Sequence, residues 1–232
     1  MRVAIVENTR FTHHGQVGVA LHEAGALIEV FRPWRDGALP EPGAHDALVV
    51  FGGEQSALDD DLHPYLPDLA RRMQEVSRSG RAVLGICLGS QVLARGLGAE
   101  NRLGVAEEFG WCAVELTDAG REDPVLGHLP ASFPIFQWHS DHFTLPPGST
   151  RLAASAVAAN QCFRAGRATY GMQFHFEASR AVVGEWNRET PEIVEGLVPG
   201  WIETHFPAGA AREGVAADAA GLAIARAWTR LI

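Results

Sequence analysis

The stretch AVLGICLGSQVLARGLG, residues 82–98, decides the fold. Its opening AVLGIC is an apolar run of strand length, and SQVLARGLG has helical spacing with glycine at its end. Gly85, Cys87 and Gly89 form a G-x-C-x-G pattern around the strand-to-helix turn. Upstream, ALVVFGG (47–53) is a nearly all-apolar run ending in Gly-Gly, as expected of a buried parallel strand that feeds a loop. RVAIVE (2–7) and LIEVF (27–31) read as strands on either side of the helical GQVGVALHEAGA (15–26), and residues 62–79 contain a further helix. Strands alternating with helices at such short spacing imply right-handed crossovers, hence a parallel sheet with helices on both faces.

After residue 110 the pattern changes. WCAVEL, FPIFQW, RLAASAV, QCFRAG and RATYGMQFHF are short strand-like runs separated by turn signals. They predict additional, partly antiparallel strands before helices resume near residues 178–205 and 213–230. No internal repeat, low-complexity tract or linker divides the chain, so residues 1–232 read as a single domain. The apolar C-terminal AAGLAIARAWTRLI reads as a helix packed on the core, with a homodimer or synthase interface as the second reading.

Composition narrows the functions. Hydrophobic residues make up 47% and charged residues 20%, which is an ordinary globular balance. The net charge is −9 and the 19 basic residues are scattered, so the clustered positive charge a nucleic-acid partner needs is missing. No apolar run approaches the roughly 18 residues of a membrane span, and MRVAIVENTR is too short in apolar residues for a signal peptide. The three cysteines share no C-x-x-C spacing, which argues against disulfides or a thiolate zinc site and for a reducing, cytoplasmic setting.

Cys87 therefore needs another explanation. Ligands of open parallel sheets gather at the carboxyl ends of the strands, where Cys87 falls. The small residues two before and two after it match a nucleophile elbow, a strained turn at which the chain approaches itself closely. The N-terminus of the following helix favours negative charge, and the thiolate is the nucleophilic form. The backbone N–H of Leu88 is the natural donor to an oxyanion. An inert buried thiol in a glycine-rich turn is the competing reading. Cys112 and Cys162 lie within apolar strand-like runs, where packing explains them.

A thiol nucleophile needs a base, and the base an orienting group. In MQFHFEAS, His175 and Glu177 are separated by one residue, so an extended chain would point both to the same side. A half-buried strand end also produces such a pair. Metal binding is a lesser reading, because no other His, Asp or Glu set has ligand spacing.

Together GICLGSQ, VFGGE and GMQFHFE resemble the class I, triad-type glutamine amidotransferases. The stretches FQWHSDHFTLPPGSTRLAAS and NQCFRAGRATYGMQFHFE are similar to the stand-alone, GMP-synthase-like branch. The resemblance covers about residues 46–177. It implies a flavodoxin-like three-layer α/β sandwich, and hydrolysis of the glutamine side-chain amide without a cofactor. By motif position Cys87 would be the nucleophile, His175 the base and acid, and Glu177 its orienter. Gly53 and Leu88 would hold the oxyanion. Gln91 matches a position that helps hold glutamine. His139, Ser140 and Asp141 fall where relatives have a loop near the substrate's amino and carboxylate groups, with Asp141 facing the ammonium. A polar strand end packed by Trp138 is the alternative for that loop.

Two departures stand out. Glu54 follows Gly52 and Gly53 where relatives read Gly-Gly-Pro, and Phe176 replaces the proline of His-Pro-Glu. Neither removes a reacting atom. No Ser-Gly-Gly-x-Asp-Ser phosphate loop occurs in these residues, so ammonia would pass to a separate synthase partner or to water. The same triad would serve a γ-glutamyl amide or peptide hydrolase. A non-catalytic binding module is disfavoured by the presence of all three residues.

Overall fold

The computed structural model describes residues 1–232. Strands β1 (Arg2–Val6), β2 (Leu27–Phe31), β3 (Ala47–Val50) and β4 (Ala82–Ile86) alternate with helices α1 (Gly15–Glu23), α2 (Pro33–Asp36) and α3 (Leu66–Arg78). Helix α4 (Leu88–Gly96) leaves β4 directly. There follow β5 (Asn101–Arg102), β6 (Glu108–Leu116), α5 (Asp118–Arg121), β7 (Ser132–His139), β8 (His142–Phe143), β9 (Thr150–Ala154), β10 (Cys162–Ala165) and β11 (Thr169–Met172). The chain closes with α6 (Arg180–Glu189), α7 (Pro191–Leu197), a π-helical turn (Trp201–His205), α8 (Phe206–Arg212) and α9 (Gly214–Thr229).

Nine strands form one sheet in the order β2-β1-β3-β4-β11-β10-β9-β6-β7. The first five are mutually parallel and the remaining pairings are antiparallel. This is the flavodoxin-like order with an antiparallel extension. Alternation along each parallel strand builds the layers. Val3, Ile5, Val49 and Leu84 join Leu21 of α1 and Ile224 and Trp228 of α9. Ala4, Val6, Leu48, Val50 and Val83 meet Leu66, Leu69 and Met73 of α3 and Val92 of α4. Each fully buried Val, Leu or Ile contributes roughly 1.5–3 kcal/mol relative to exposure. Trp228 has no exposed surface, so the C-terminal helix is core.

The sequence predicts a strand running through Phe176, and here the structure differs. β11 ends at Met172. Its parallel neighbour β4 turns away into α4 after the Cys87 N–H donates to the Met172 carbonyl at 2.8 Å, so nothing remains on that side to extend the ladder. Met172, Phe174 and Phe176 nevertheless keep facing the same core. A small β5–β8 sheet and the π-helical turn have no counterpart in the sequence reading.

Candidate active site

Cys87 is the only non-glycine residue with positive φ, at φ 51° and ψ −114°. Such geometry costs on the order of 1–3 kcal/mol and persists only where the surroundings enforce it. Two close approaches do so. A Cβ on Gly85 would lie 2.4 Å from the Gly89 carbonyl oxygen, and one on Gly89 would lie 2.0 Å from that of Val50. Only glycine fits either place. The Cys87 carbonyl accepts from the N–H groups of Ser90 and Gln91 at 2.9 and 3.1 Å, which starts α4.

Three polar neighbours surround the sulfur. The Cys87 thiol donates to the Trp138 carbonyl at 3.7 Å, and Gln173 Nε2 donates to Sγ at 3.7 Å. His175 is the third neighbour: a Cβ added at Gly52 would lie 3.2 Å from its Cε1 and 3.4 Å from the Cys87 Cβ. His175 Nδ1 lies 2.7 Å from Glu177 Oε1, which leaves Nε2 as the ring nitrogen for the thiol. Burial alone would depress the imidazole. The charges of Glu177 and Cys87, with the hydrogen bond to Glu177, outweigh it and hold His175 well above its ordinary value. Glu177 is 2% exposed, and its second oxygen is buried without a partner. An imidazolium beside it compensates part of that desolvation.

The route by which His175 and Glu177 meet is not the expected extended strand. His175 sits in an isolated antiparallel bridge, its N–H donating to the Phe136 carbonyl of β7 at 2.8 Å, and the chain turns immediately afterwards. β6 pairs with β9 only through Glu115 and Leu116, so the far end of the β6–β7 hairpin is free to reach this bridge. Phe176, in the place of the family's proline, is 1% exposed and packs against Phe174 with ring centroids 6.3 Å apart.

Gly53 follows β3, and its backbone N–H donates to no protein acceptor. Leu88 is the first residue of α4, so its N–H has no intrahelical partner. These are free donors on the two loops that flank Cys87. The Gly-Gly loop is pinned from β1's end: Asn8 Nδ2 donates to the Phe51 carbonyl at 2.8 Å, and Gln55 Nε2 to the Asn8 carbonyl at 2.7 Å. Glu54 is exposed at its tip, so side-chain anchoring stands where relatives have proline.

Cys87, though 6% exposed, opens into a cleft of about 820 Å³. Gly53, Leu88, Gln91, His139, Ser140, Asp141, His175 and Glu177 all line it, so every residue given a catalytic, oxyanion or substrate role in the sequence analysis reaches one cavity. Their freedom differs. Gln91 Nε2 donates to Gln173 Oε1 at 3.2 Å and to the Asp141 carbonyl at 3.4 Å. Asp141 Oδ1 already accepts the Gly104 N–H at 2.9 Å, which leaves its other oxygen for a ligand. His139 Nδ1 lies 3.2 Å from the Asp141 carbonyl, and Nε2 is 3.3 Å from Glu108 Oε2 but too poorly aligned to bond. Ser140 is exposed.

Sequence reasoning missed Gln173, which touches the sulfur, and Trp186, whose ring packs on His175 at 5.3 Å. A polar residue inside the apolar run GMQF was the available signal for Gln173; nothing local announces Trp186. No group of three His, Cys, Asp or Glu side chains is arranged to hold a metal ion, and no helix is long and apolar enough to cross a membrane.

A thiol on a strained strand-to-helix turn, an imidazole and a carboxylate define the class of site found in thiol acyl-transfer enzymes. The family profile described as Glutamine amidotransferase class-I matches residues 16–185, and the chain belongs to that family, on its GMP-synthase-like branch. The glutamine amidotransferase-like protein YfeJ of Salmonella typhimurium is 33% identical over 203 residues, which is 85% of this chain and 80% of that protein. One subunit of the glutamine-hydrolyzing GMP synthase of Haloarcula marismortui is 31% identical over 188 residues, covering 79% of this chain and 89% of that one. Among solved structures, a glutamine amidotransferase from Methylobacillus flagellatus superposes with a TM-score of 0.86 at 26% identity, covering 99% of this chain and 93% of its own.

Proposed function

We propose that the chain hydrolyses the side-chain amide of glutamine to glutamate and ammonia through a thioester on Cys87. Cys87 Sγ attacks the amide carbon while the oxyanion receives the N–H groups of Gly53 and Leu88. His175, protonated in the resting pair, gives its proton to the departing nitrogen. The neutral imidazole then takes a proton from water, whose oxygen attacks the thioester carbon; the C–S bond breaks, and the thiolate–imidazolium pair is restored as glutamate leaves. Glu177 orients Nδ1 and stabilises the imidazolium throughout. Gln91 and the His139–Ser140–Asp141 loop hold the amino-acid end of the substrate, with Asp141 toward its ammonium.

The single observation that carries this reading is the strained Cys87 beside an imidazole locked at 2.7 Å to a buried carboxylate. The Haloarcula relative is named as one of the subunits of a GMP synthase. By analogy, ammonia released here passes to a separate synthase chain when one is bound, and otherwise to water. The test is ammonia release from glutamine together with mass spectrometry of acid-quenched protein. A γ-glutamyl adduct on the peptide containing Cys87 is expected, and turnover without it would defeat the proposal.

A further inference from the structure

The cleft is larger than its proposed chemistry needs. Volumes of roughly 300–1,000 Å³ suit drug-sized ligands, and this one measures about 820 Å³. Ammonia, as the leaving group of glutamine, requires almost none of it. Resting on the hydrolytic reading above, we infer that the same site also cleaves γ-glutamyl amides whose leaving amine carries an aromatic group and no carboxylate.

The direction of the leaving group follows from the acid. The nitrogen that departs must come within hydrogen-bond reach of His175 Nε2, since Nδ1 is held by Glu177. The surroundings of that imidazole are aromatic. Trp186 packs edge-on against it at 5.3 Å, Trp138 against Trp186 at 5.6 Å, and Phe109 against Trp138 at 5.5 Å. All three line the cleft, so a substituent on the departing nitrogen emerges along an aromatic wall. At the mouth the wall continues into Ile193 and Leu197 of α7, which are 55% and 40% exposed and also line the cleft. Large apolar side chains left open beside a catalytic centre are the kind of surface a ligand covers.

Charge sets the second half of the specificity. No arginine or lysine lines the cleft, whereas Glu54, Asp59 and Glu107 do. A leaving group bearing a carboxylate, as in a γ-glutamyl peptide, would find no arginine or lysine and several like charges. A neutral or cationic arylalkylamine meets no such penalty. The chemistry balances as for glutamine: the S–C bond forms as the C–N bond breaks, His175 protonates the amine, and water cleaves the thioester to glutamate.

The test compares glutamine, γ-glutamyl-phenethylamide and γ-glutamyl-phenylalanine, the last two sharing a ring and differing by one carboxylate. The phenethylamide is expected to be hydrolysed with kcat/KM at least about tenfold above the phenylalanine conjugate. Ile193→Glu and Leu197→Glu should each lower the phenethylamide-to-glutamine ratio of kcat/KM by about tenfold or more. Glutamine turnover with an inert phenethylamide, equal rates for the two conjugates, or an unmoved ratio in both variants would overturn the inference alone. Absence of any turnover, together with no labelling of Cys87 by a glutamine-like diazoketone, would instead bring down the hydrolytic reading and this one with it.

Discussion

The parallel and antiparallel halves of the sheet contribute to the cleft in different ways. The parallel half supplies Cys87 through backbone geometry alone: β4 ends, two glycines admit close approach, and the residue is thrust forward at positive φ. The antiparallel half supplies surroundings. Its β6–β7 hairpin brings the Trp138 carbonyl to the sulfur, Phe136 to the His175 bridge and Phe109 to the aromatic wall. His175 belongs to both, since it follows β11 yet is hydrogen-bonded to β7. One half fixes where the thiol stands, and the other what it meets there.

That division can be broken most severely at Cys87. Cys87→Ala should abolish turnover, by at least about 10⁴-fold, while the thermal midpoint stays nearly level, because alanine keeps the Cβ and removes only the sulfur at the cleft wall. A large fall in the midpoint would mean the thiol is a core element. Gly89→Ala should destabilise the fold by about 3 kcal/mol, measured by denaturant unfolding, since its Cβ would strike the Val50 carbonyl. A neutral result would show that the elbow can relax without displacing β3.

At the seam, Glu177→Gln should cut turnover roughly 10–100-fold by removing the charge that stabilises the imidazolium. It also carries a pH signature. His175 is raised in the folded state, so its contribution to stability is complete below about 6.5, the ordinary value, and is lost as pH rises through the folded value. Glu177→Gln should flatten that decline in urea unfolding measured across the alkaline range, and an unchanged slope would reassign it. The smallest effect belongs to the antiparallel side: His139→Gln should raise KM about two- to tenfold with little change in kcat, reflecting a loop that binds and does not react. A drop in kcat larger than that of His175→Ala would make His139 the base.

Legibility in the sequence follows the same divide. The elbow is a local pattern, with glycines two residues either side of Cys87, and the alternating strands and helices of the parallel half are local too. Both could be read from residues alone. The His175–Glu177 pair was legible as neighbours, but the extended strand inferred for them was not what brings them together. Strand length there depends on where β4 turns away, which no spacing within GMQFHFE encodes. The aromatic wall was invisible for a similar reason: Phe109, Trp138 and Trp186 come from three separate elements and share no periodicity. Gln173 is a polar residue inside the apolar run GMQF, and nothing in that run says that it meets the sulfur.

The backbone at residue 87 would suit glycine better than the residue it carries. A lineage released from the need for the proposed reactivity would therefore find substitution there easy, even restful, whereas change at Gly85 or Gly89 would still wreck the architecture. Among descendants of this chain, a silent copy should be recognisable by an intact pair of glycines enclosing a vanished sulfur.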